Sequence, residues 1–416
     1  ILSHPMALKL LILATKAPWP PVDGGRLLLA HTLEGLAAAG VRPTLVAPVD
    51  PRQFDLERVA AELSRWCVPR LVPAAPAPPV RALLSGWRVP LSIARHSLPA
   101  VRREAGRLLD TQRFDLVHAE QLQALPQAAP AFARSVPVVL RAQNVESDLW
   151  AAASARQPGW EGKVLAEQAR RLARWEGEEV QRVAATFALT PEDAARLREL
   201  APGSRIRVLR APFPERPPGT GQLPGEPAVV VMGSRGWLPN EEAAGWFLDE
   251  AWPAVRSESP GAVLHLFGME REVGERRDVL IHPSPEDSAE AFPPGSILVV
   301  PLRIASGVRM KVLEAWARGV PVVGTPAALA GLDVTDGREA LVARSPQEFA
   351  HAISRIQREP GLAASLIQAG HQARHERHDP ARVAAEMVAA YEEALTPGPS
   401  PNRPPAPPGE GSEGIS

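Results

Sequence analysis

Short apolar runs recur from one end of this chain to the other, each separated from the next by a stretch with helical spacing, and that alternation excludes most architectures. Residues 9–15, 44–48, 115–118, 136–140 and 186–189 read as strands in the first half. Residues 228–232, 262–267, 279–281, 297–300, 320–323 and 340–343 read as strands in the second. Runs that are apolar on both faces must be covered on both, which parallel sheets achieve with helical crossovers. Twisted open sheets seldom hold so many strands, so two sheets are expected rather than one. The fold class is therefore α/β, with two doubly wound Rossmann-like domains.

The division between them falls where neither periodicity survives. Residues 211–227, APFPERPPGTGQLPGEP, are too rich in Pro and Gly for a helix or strand and read as a linker. Residues 6–210 then form the first domain and 228–379 the second. Residues 380–395 read as an amphipathic helix with Val383, Met387, Ala390 and Tyr391 on one face. Residues 396–416 hold too few apolar side chains to pack and are expected to be disordered. The five residues before Met6 are expected to be an artefact of the assigned start. The apolar run 8–14 invites comparison with a signal peptide, but it is too short for a bilayer, Lys9 and Lys16 bracket it, and an ordered pattern follows. A first parallel strand is the expectation.

Charge narrows the function. With 46 Lys and Arg against 47 Asp and Glu, the formal net charge is -1, unlike the strongly basic domains that hold nucleic acid by bulk electrostatics. Cys67 is the only cysteine, which excludes an internal disulfide and a multi-cysteine metal site and fits a reducing cytoplasm. His371, His375 and His378 share a helical spacing, but Asp379-Pro380 follows and no H-E-x-x-H arrangement is present, so a charged surface turn is expected there. No Asp-x-Asp pair occurs, and no metal site is expected. Residues 81–107 carry Arg81, Arg88, Arg95, Arg102, Arg103 and Arg107 among Leu and Trp. That stretch fits either peripheral contact with an anionic membrane or a solvated loop and helix broken by prolines.

The densest chemistry lies in residues 306–325, SGVRMKVLEAWARGVPVVGT. Ser306 and Gly307 form a turn, residues 308–317 a helix, Arg318-Gly319 its end, and residues 320–323 a buried strand. The helix start offers free N–H groups and a positive dipole end, and Arg309 and Lys311 add full charges, a combination suited to a diphosphate. Glu314, further along the helix, is either solvated or an acceptor for two neighbouring ribose hydroxyls. Asp23-Gly24-Gly25-Arg26 opens a helix after the first strand and is either an ordinary turn or a second anion-facing loop. Trp19 in the same loop is either a sugar platform or packing. His118 closes a strand, with Glu120 and Gln121 in the following loop. Residues 141–146 follow the next strand, and Arg235 follows the first strand of the second domain, where a guanidinium could grip phosphate in a bidentate way.

Residues 307–324 resemble the nucleotide-sugar signature of the retaining glycosyltransferases of family 4, which have the two-domain GT-B fold. Glu314-Ala315-Trp316-Ala317-Arg318-Gly319-Val320-Pro321-Val322 fits the second half of that pattern, and Ser306 stands where the family usually has a glutamate that reaches the donor sugar. The resemblance covers most of residues 9–395 and is specific over 228–345. It implies retention of configuration without a required metal or cofactor, a cleft between the domains, and a terminal helix that crosses back to the first. It implies donor contacts from Gly25, Arg235, Ser306, Gly307, Val308, Arg309, Lys311 and Glu314. His118, Arg235, Lys311 and Glu314 become the expected catalytic set, with Trp19, Gly24, Glu120 and Asn144 on the acceptor side. The implied partners are a nucleotide-sugar donor and a glycan or lipid-linked acceptor of cell-envelope or exopolysaccharide synthesis, in the cytoplasm or at the inner face of the membrane. Two alternatives share these residues: a sugar-nucleotide epimerase on the same fold, and a non-catalytic nucleotide-sugar-binding partner subunit.

Overall fold

The computed structural model describes residues 8–78, 89–233, 238–269, 277–285, 287–303 and 306–396. Arg235, residues 81–88 of the basic stretch and residues 397–416 of the terminal segment lie outside the described residues.

Two all-parallel sheets organise the chain. The first contains β1 (Leu10–Leu13), β2 (Thr44–Val49), β3 (Val68–Pro73), β4 (Leu116–Glu120), β5 (Val138–Ala142), β6 (Ala185–Ala188) and β7 (Ile206–Val208), in the order β3-β2-β1-β4-β5-β6-β7. The second contains β8 (Ala228–Met232), β9 (Val263–Phe267), β10 (Val279–His282), β11 (Ser296–Val300), β12 (Val322–Gly324) and β13 (Leu341–Val342), in the order β10-β9-β8-β11-β12-β13. Both are doubly wound, as the alternation of the sequence predicts. The central strands β1, β4, β5 and β11 are buried along their whole length, because helices cover both faces and leave no solvated side.

Each sheet has a core on either face. In the first, Leu11, Leu13, Val117 and Leu140 pack one face, and Leu10, Ile12, Leu45 and Val139 pack the other. The second is filled by Val230, Leu298, Val300 and Val322 on one face and by Val229, Leu264, Val299 and Val323 on the other. Residues 211–227 form no helix or strand, and their first three residues are buried. Ala211 and Phe213 are buried, Phe213 N donates to the His378 carbonyl at 2.8 Å, and Arg374 donates to the Phe213 carbonyl at 3.0 Å.

The histidine reading needs correction. The helix Pro360–His378 runs on through all three histidines, and His378 is fully buried with Nδ1 2.8 Å from the Ala211 carbonyl. It is a core residue of the lobe junction rather than part of a surface turn. Asp379 then caps the helix Pro380–Leu395 through the N–H groups of Ala381 and Arg382. That helix buries Val383, Met387, Ala390 and Tyr391, and the last three pack with Leu10, Leu33 and Phe187 of the first lobe. Gly35 makes the contact close: a Cβ there would stand 3.1 Å from the Pro380 carbonyl oxygen.

Candidate active site

Ligands of open parallel sheets bind beyond the carboxyl ends of the strands, where the strand order reverses. In the first sheet that point lies between β1 and β4, and in the second between β8 and β11. The chain leaves β1 for the helix Gly24–Ala38 and leaves β11 for the helix Met310–Arg318. These two helix starts meet: a Cβ on Gly24 would lie 3.6 Å from Met310 Cγ. Two positive dipole ends therefore converge on the junction between the lobes. Asp23 caps the first helix by accepting from Arg26 N at 3.0 Å. The second has no side-chain cap; Val312 N already donates to the Arg309 carbonyl at 2.9 Å, so the Met310 and Lys311 N–H groups are the ones left for an anion.

Arg309 occupies the N-cap position of that second helix and Lys311 lies in its first turn. Lys311 Nζ donates to the Met232 carbonyl at the end of β8 and stands 3.4 Å from Asn240 Oδ1. Burial and the neighbouring Arg309 charge push the Lys311 ammonium down to about 7. Burial also pushes Arg309 down to about 10, against the attraction of Asp193. Arg309 Nε has no hydrogen-bond partner among the described residues. Desolvation outweighs the attraction of Asp193 at Arg309 and depresses Lys311 as well, so a polyanion there would restore the charge that burial opposes.

Glu314 is 6% exposed, which removes the solvated alternative. Its Oε1 accepts from Ser288 Oγ and, at 3.1 Å, from Arg318 Nε. Arg318 is anchored in turn by the Pro217 carbonyl at 3.0 Å. Glu314 Oε2 takes no hydrogen bond among the described residues, so one carboxylate oxygen is held and the other is available. Gly319 ends the helix in the left-handed region at φ 72°, and the fully buried Trp316 fixes its far face through Nε1 and the Glu339 carbonyl at 3.0 Å.

The turn at Ser306 and Gly307 does something the sequence did not disclose. Ser306 Oγ donates to Asp193 Oδ1 at 2.8 Å and accepts from Val145 N at 2.9 Å. Gly307 N donates to Asp193 Oδ2 at 3.0 Å. Oriented so that its Nδ2 donates, the Asn144 amide reaches the carbonyl oxygens of Gln143 at 3.1 Å and Ser306 at 2.9 Å. Gly307 has φ 71°, and a Cβ there would sit 2.1 Å from the Gln143 carbonyl oxygen, so only glycine fits. The Ser306 hydroxyl and the Asn144 amide thus bind the other lobe in this conformation instead of projecting toward sugar and acceptor. Val308 is half-buried against the core of the second lobe.

Two further expectations are corrected. β4 runs on to Glu120, so His118 is in mid-strand and not at the strand's end. His118 is fully buried, with Nδ1 2.6 Å from Tyr391 Oη and Nε2 3.2 Å from Glu120 Oε2. It offers no ring atom to a substrate. Glu120 is equally buried and accepts from Arg141 Nε and, at 2.6 Å, from Gln143 Nε2. Burial opposes its charge, but Arg141 and His118 hold its carboxyl down to about 2. It is a structural anion, not an acceptor contact.

What does reach the surface above this network is Gln121, which accepts from Thr15 Oγ1 at 2.6 Å and donates to Gln143 at 2.7 Å. Gly25 lies against both amides, 3.0 Å from Gln143 Oε1 for an added Cβ. Trp19 packs on the first-lobe core beneath the Arg58 guanidinium, 5.2 Å from the ring centre, so one face of its ring is already covered. A polar cavity of about 310 Å³ opens at the carboxyl ends of β1 and β2, lined by Thr15, Lys16, Arg26, Asp50, His96 and Gln121. A larger open groove of about 820 Å³ follows β3 and the helices Leu56–Leu63 and Pro99–Thr111, and it carries none of the site residues. The sequence alone does not single out Lys16, Asp193 or Gln143 as site residues. Only the Thr190-x-x-Asp193 spacing, a capping-box pattern, carries any signal.

Residues 22–212 match the model of Glycosyltransferase Family 4, and residues 226–359 match the model of Glycosyl transferases group 1. No curated protein matches the chain. Among solved structures, HepE of Anabaena in complex with UDP and glucose is similar at TM-score 0.63 and 13% identity, covering 93% of this chain and 100% of that one. Sucrose-phosphate synthase from Thermosynechococcus elongatus is similar at TM-score 0.64 and 16% identity, covering 93% and 99%. A glycosyltransferase from Rickettsia africae is similar at TM-score 0.62 and 9% identity, covering 95% and 100%. The two family models between them span both lobes, and the chain is a glycosyltransferase of the group 1/family 4 type with the GT-B fold.

Proposed function

We propose that this protein moves a sugar from a nucleoside diphosphate to a hydroxyl of a glycan or lipid-linked acceptor, with retention of anomeric configuration, in cell-envelope or exopolysaccharide synthesis. The reading rests on one arrangement: a helix start without a side-chain cap, carrying Arg309 and Lys311 where it meets Gly24 of the first lobe, with the buried carboxylate of Glu314 on the same helix. The diphosphate lies at the helix start, and Glu314 Oε2 accepts from the ribose hydroxyls. As the bond to the anomeric carbon breaks, negative charge grows on the leaving phosphate. Arg309 and Lys311, already desolvated, stabilise it with less reorganisation than water would need. Arg235 joins them in this assignment. The backbone of residues 306–308 borders the sugar, and the acceptor enters through the polar cavity of the first lobe beside Gln121. The likeness to a chain solved with UDP and glucose makes a uridine nucleotide the first donor to test.

The sole cysteine, Cys67, is buried and its thiol pushed up to about 12 by desolvation, so it is chemically quiet. No helix among the described residues is long and apolar enough to cross a membrane. Both facts are compatible with the cytoplasmic setting proposed here, at the inner face of the membrane when the acceptor is lipid-linked.

Thermal unfolding with UDP-, GDP-, ADP- and TDP-sugars tests the reading. A donor at 100 times its dissociation constant adds about 2.7 kcal/mol of stability, and a panel in which none raises the midpoint would sink it. Lys311 supplies a second expectation. At pH 8 its ammonium, held near 7, is mostly neutral in the free protein, while the anion binds the charged form. Donor binding should therefore take up a proton, and affinity should fall up to about tenfold per pH unit above pH 7. Calorimetry in two buffers of different ionisation enthalpy reads that proton directly; equal heats would refute it.

One observation favours a second reading, a non-catalytic nucleotide-sugar-binding subunit. Ser306 is spent on lobe contacts, and His118 is withdrawn from the surface. Donor binding without transfer to any acceptor would support it.

A further inference from the structure

Asp193 belongs to the first lobe, at the third position of the helix Pro191–Leu200. Its local duty is ordinary. Thr190 caps the helix by accepting from Asp193 N at 3.0 Å, and its hydroxyl donates back to Asp193 Oδ2 at 2.8 Å. A residue serving only that cap would turn its remaining lone pairs to water. Asp193 is instead 6% exposed, and both oxygens reach the other lobe, Oδ1 to the Ser306 hydroxyl and Oδ2 to Gly307 N. Val145 N completes the junction by donating to Ser306 Oγ.

The segment that supplies Val145 is itself held in place. Glu176 Oε1 accepts from Glu146 N at 3.0 Å, and Glu176 Oε2 accepts from Ser147 N at 3.1 Å and Ser147 Oγ at 2.6 Å. Gly307 leaves no clearance for a side chain against the Gln143 backbone. The turn is therefore seated between two rigid pieces of the first lobe, immediately before the helix that carries Arg309, Lys311 and Glu314. An ångström of drift between lobes would separate the groups on the two sides of the junction.

We infer that Asp193 is a positioning residue that registers the turn at Ser306 and Gly307 against the first lobe, so that sugar transfer runs only while this carboxylate bridges the lobes. The inference rests on the transferase reading for its kinetic arm and on geometry alone for its structural arm. Arg309, Lys311 and Glu314 sit on one helix of the second lobe, and of the three only Arg309 feels the Asp193 charge, whereas bringing donor and acceptor together needs the bridge.

Three variants separate this role from helix capping. Asp193→Ala removes the bridge and the reciprocal bond from the Thr190 hydroxyl, while its backbone N–H still donates to the cap. Ser306→Ala removes the hydroxyl bridge and leaves the cap. Thr190→Val removes the cap hydroxyl, keeps the methyl packing against Gly331, and leaves the bridge. Charged hydrogen bonds of about 1.5 to 3 kcal/mol convert to roughly 10- to 150-fold. Asp193→Ala and Ser306→Ala should lower kcat by an amount in that range, with the dissociation constant for the nucleoside diphosphate of the donor changed by less than about threefold. Thr190→Val should lose thermal stability with kcat retained. Without any ligand, small-angle X-ray scattering should show a larger radius of gyration for Asp193→Ala than for the wild type. Wild-type kcat in both bridge variants, or an Asp193→Ala protein that binds nucleotide about tenfold more tightly and turns over normally, would overturn the inference. The second outcome would make Asp193 a competitor of the donor. If the wild type binds no sugar nucleotide, the transferase reading fails by itself, and an unchanged scattering radius would then remove the bridge as well.

Discussion

Lys311→Met should lower the rate of transfer about 100- to 1,000-fold, the loss typical when one preorganised donor to a developing anion is removed. The side chain is well placed for that cost. Its Nζ is held by the Met232 carbonyl at the end of β8 and it shares the helix start with Arg309. Methionine keeps the apolar stem and removes only the charge, so the unfolding midpoint should change little. It should even rise at low pH, because a cation whose ordinary range is pushed down to about 7 by burial costs the folded state stability when protonated. The sign follows from proton counts: between the folded value and the unfolded one the unfolded chain binds more protons, and stability rises with pH. A Lys311→Met protein should lack that rise between pH 7 and pH 10. Full transfer activity in this variant would exclude Lys311 from leaving-group stabilisation.

The second large effect is expected at Glu314, and it is of two kinds. Glu314→Ala leaves the Arg318 guanidinium, 7% exposed, with only the exposed Asp287 carboxylate at 3.7 Å. Removing one member of a buried pair costs about 3 to 5 kcal/mol. The lower end applies because the Pro217 carbonyl still holds Arg318. Loss of donor affinity in that variant would be entangled with loss of stability. Glu314→Gln separates them: the amide oxygen can still accept from Arg318, while charge-assisted bonds to a ribose are lost. Donor affinity should then fall about 10- to 100-fold, from bonds worth roughly 1.5 to 3 kcal/mol. Denaturant unfolding and calorimetry on the two variants check both halves. An alanine variant as stable as the wild type would deny the buried pair, and a glutamine variant with unchanged donor affinity would deny the ribose contact.

The fold is legible where the chain is buried on both faces. Residues 228–232 read as a strand and are β8, and the other runs that read as strands lie within a few residues of their observed places. The two strands missed, β3 and β7, are the outer strands of the first sheet. Val68–Pro73 holds two prolines and is largely exposed or half-buried, and Ile206–Val208 has Arg207 at its centre. An edge strand tolerates proline and polar side chains because one side of its backbone is unpaired. Neither therefore displays the apolar run that identifies a central strand.

The site divides along the same line. Gly319 ending a helix, the charged helix start at Arg309 and Lys311, and the carboxylate of Glu314 are all local patterns. His118 and Glu120 read as strand-end polar groups because nothing nearby in sequence pairs with them. Their partners, Arg141 on the neighbouring strand and Tyr391 on the last helix, arrive only through the register of β4 with β5 and the return of the terminal helix. Ser306 is likewise assigned to the sugar by its neighbours in sequence because Asp193 lies far away along the chain.

The sequence by itself determined two parallel-sheet lobes and a cationic helix start followed by an acidic side chain, because burial on both faces and helix polarity are written into neighbouring residues. Tertiary structure alone decided which polar groups face a ligand and which are consumed in holding the molecule together. A buried carboxylate, hydroxyl or imidazole takes whatever partner the fold brings within hydrogen-bonding distance, and that partner is set by packing between distant segments rather than by the residues beside it.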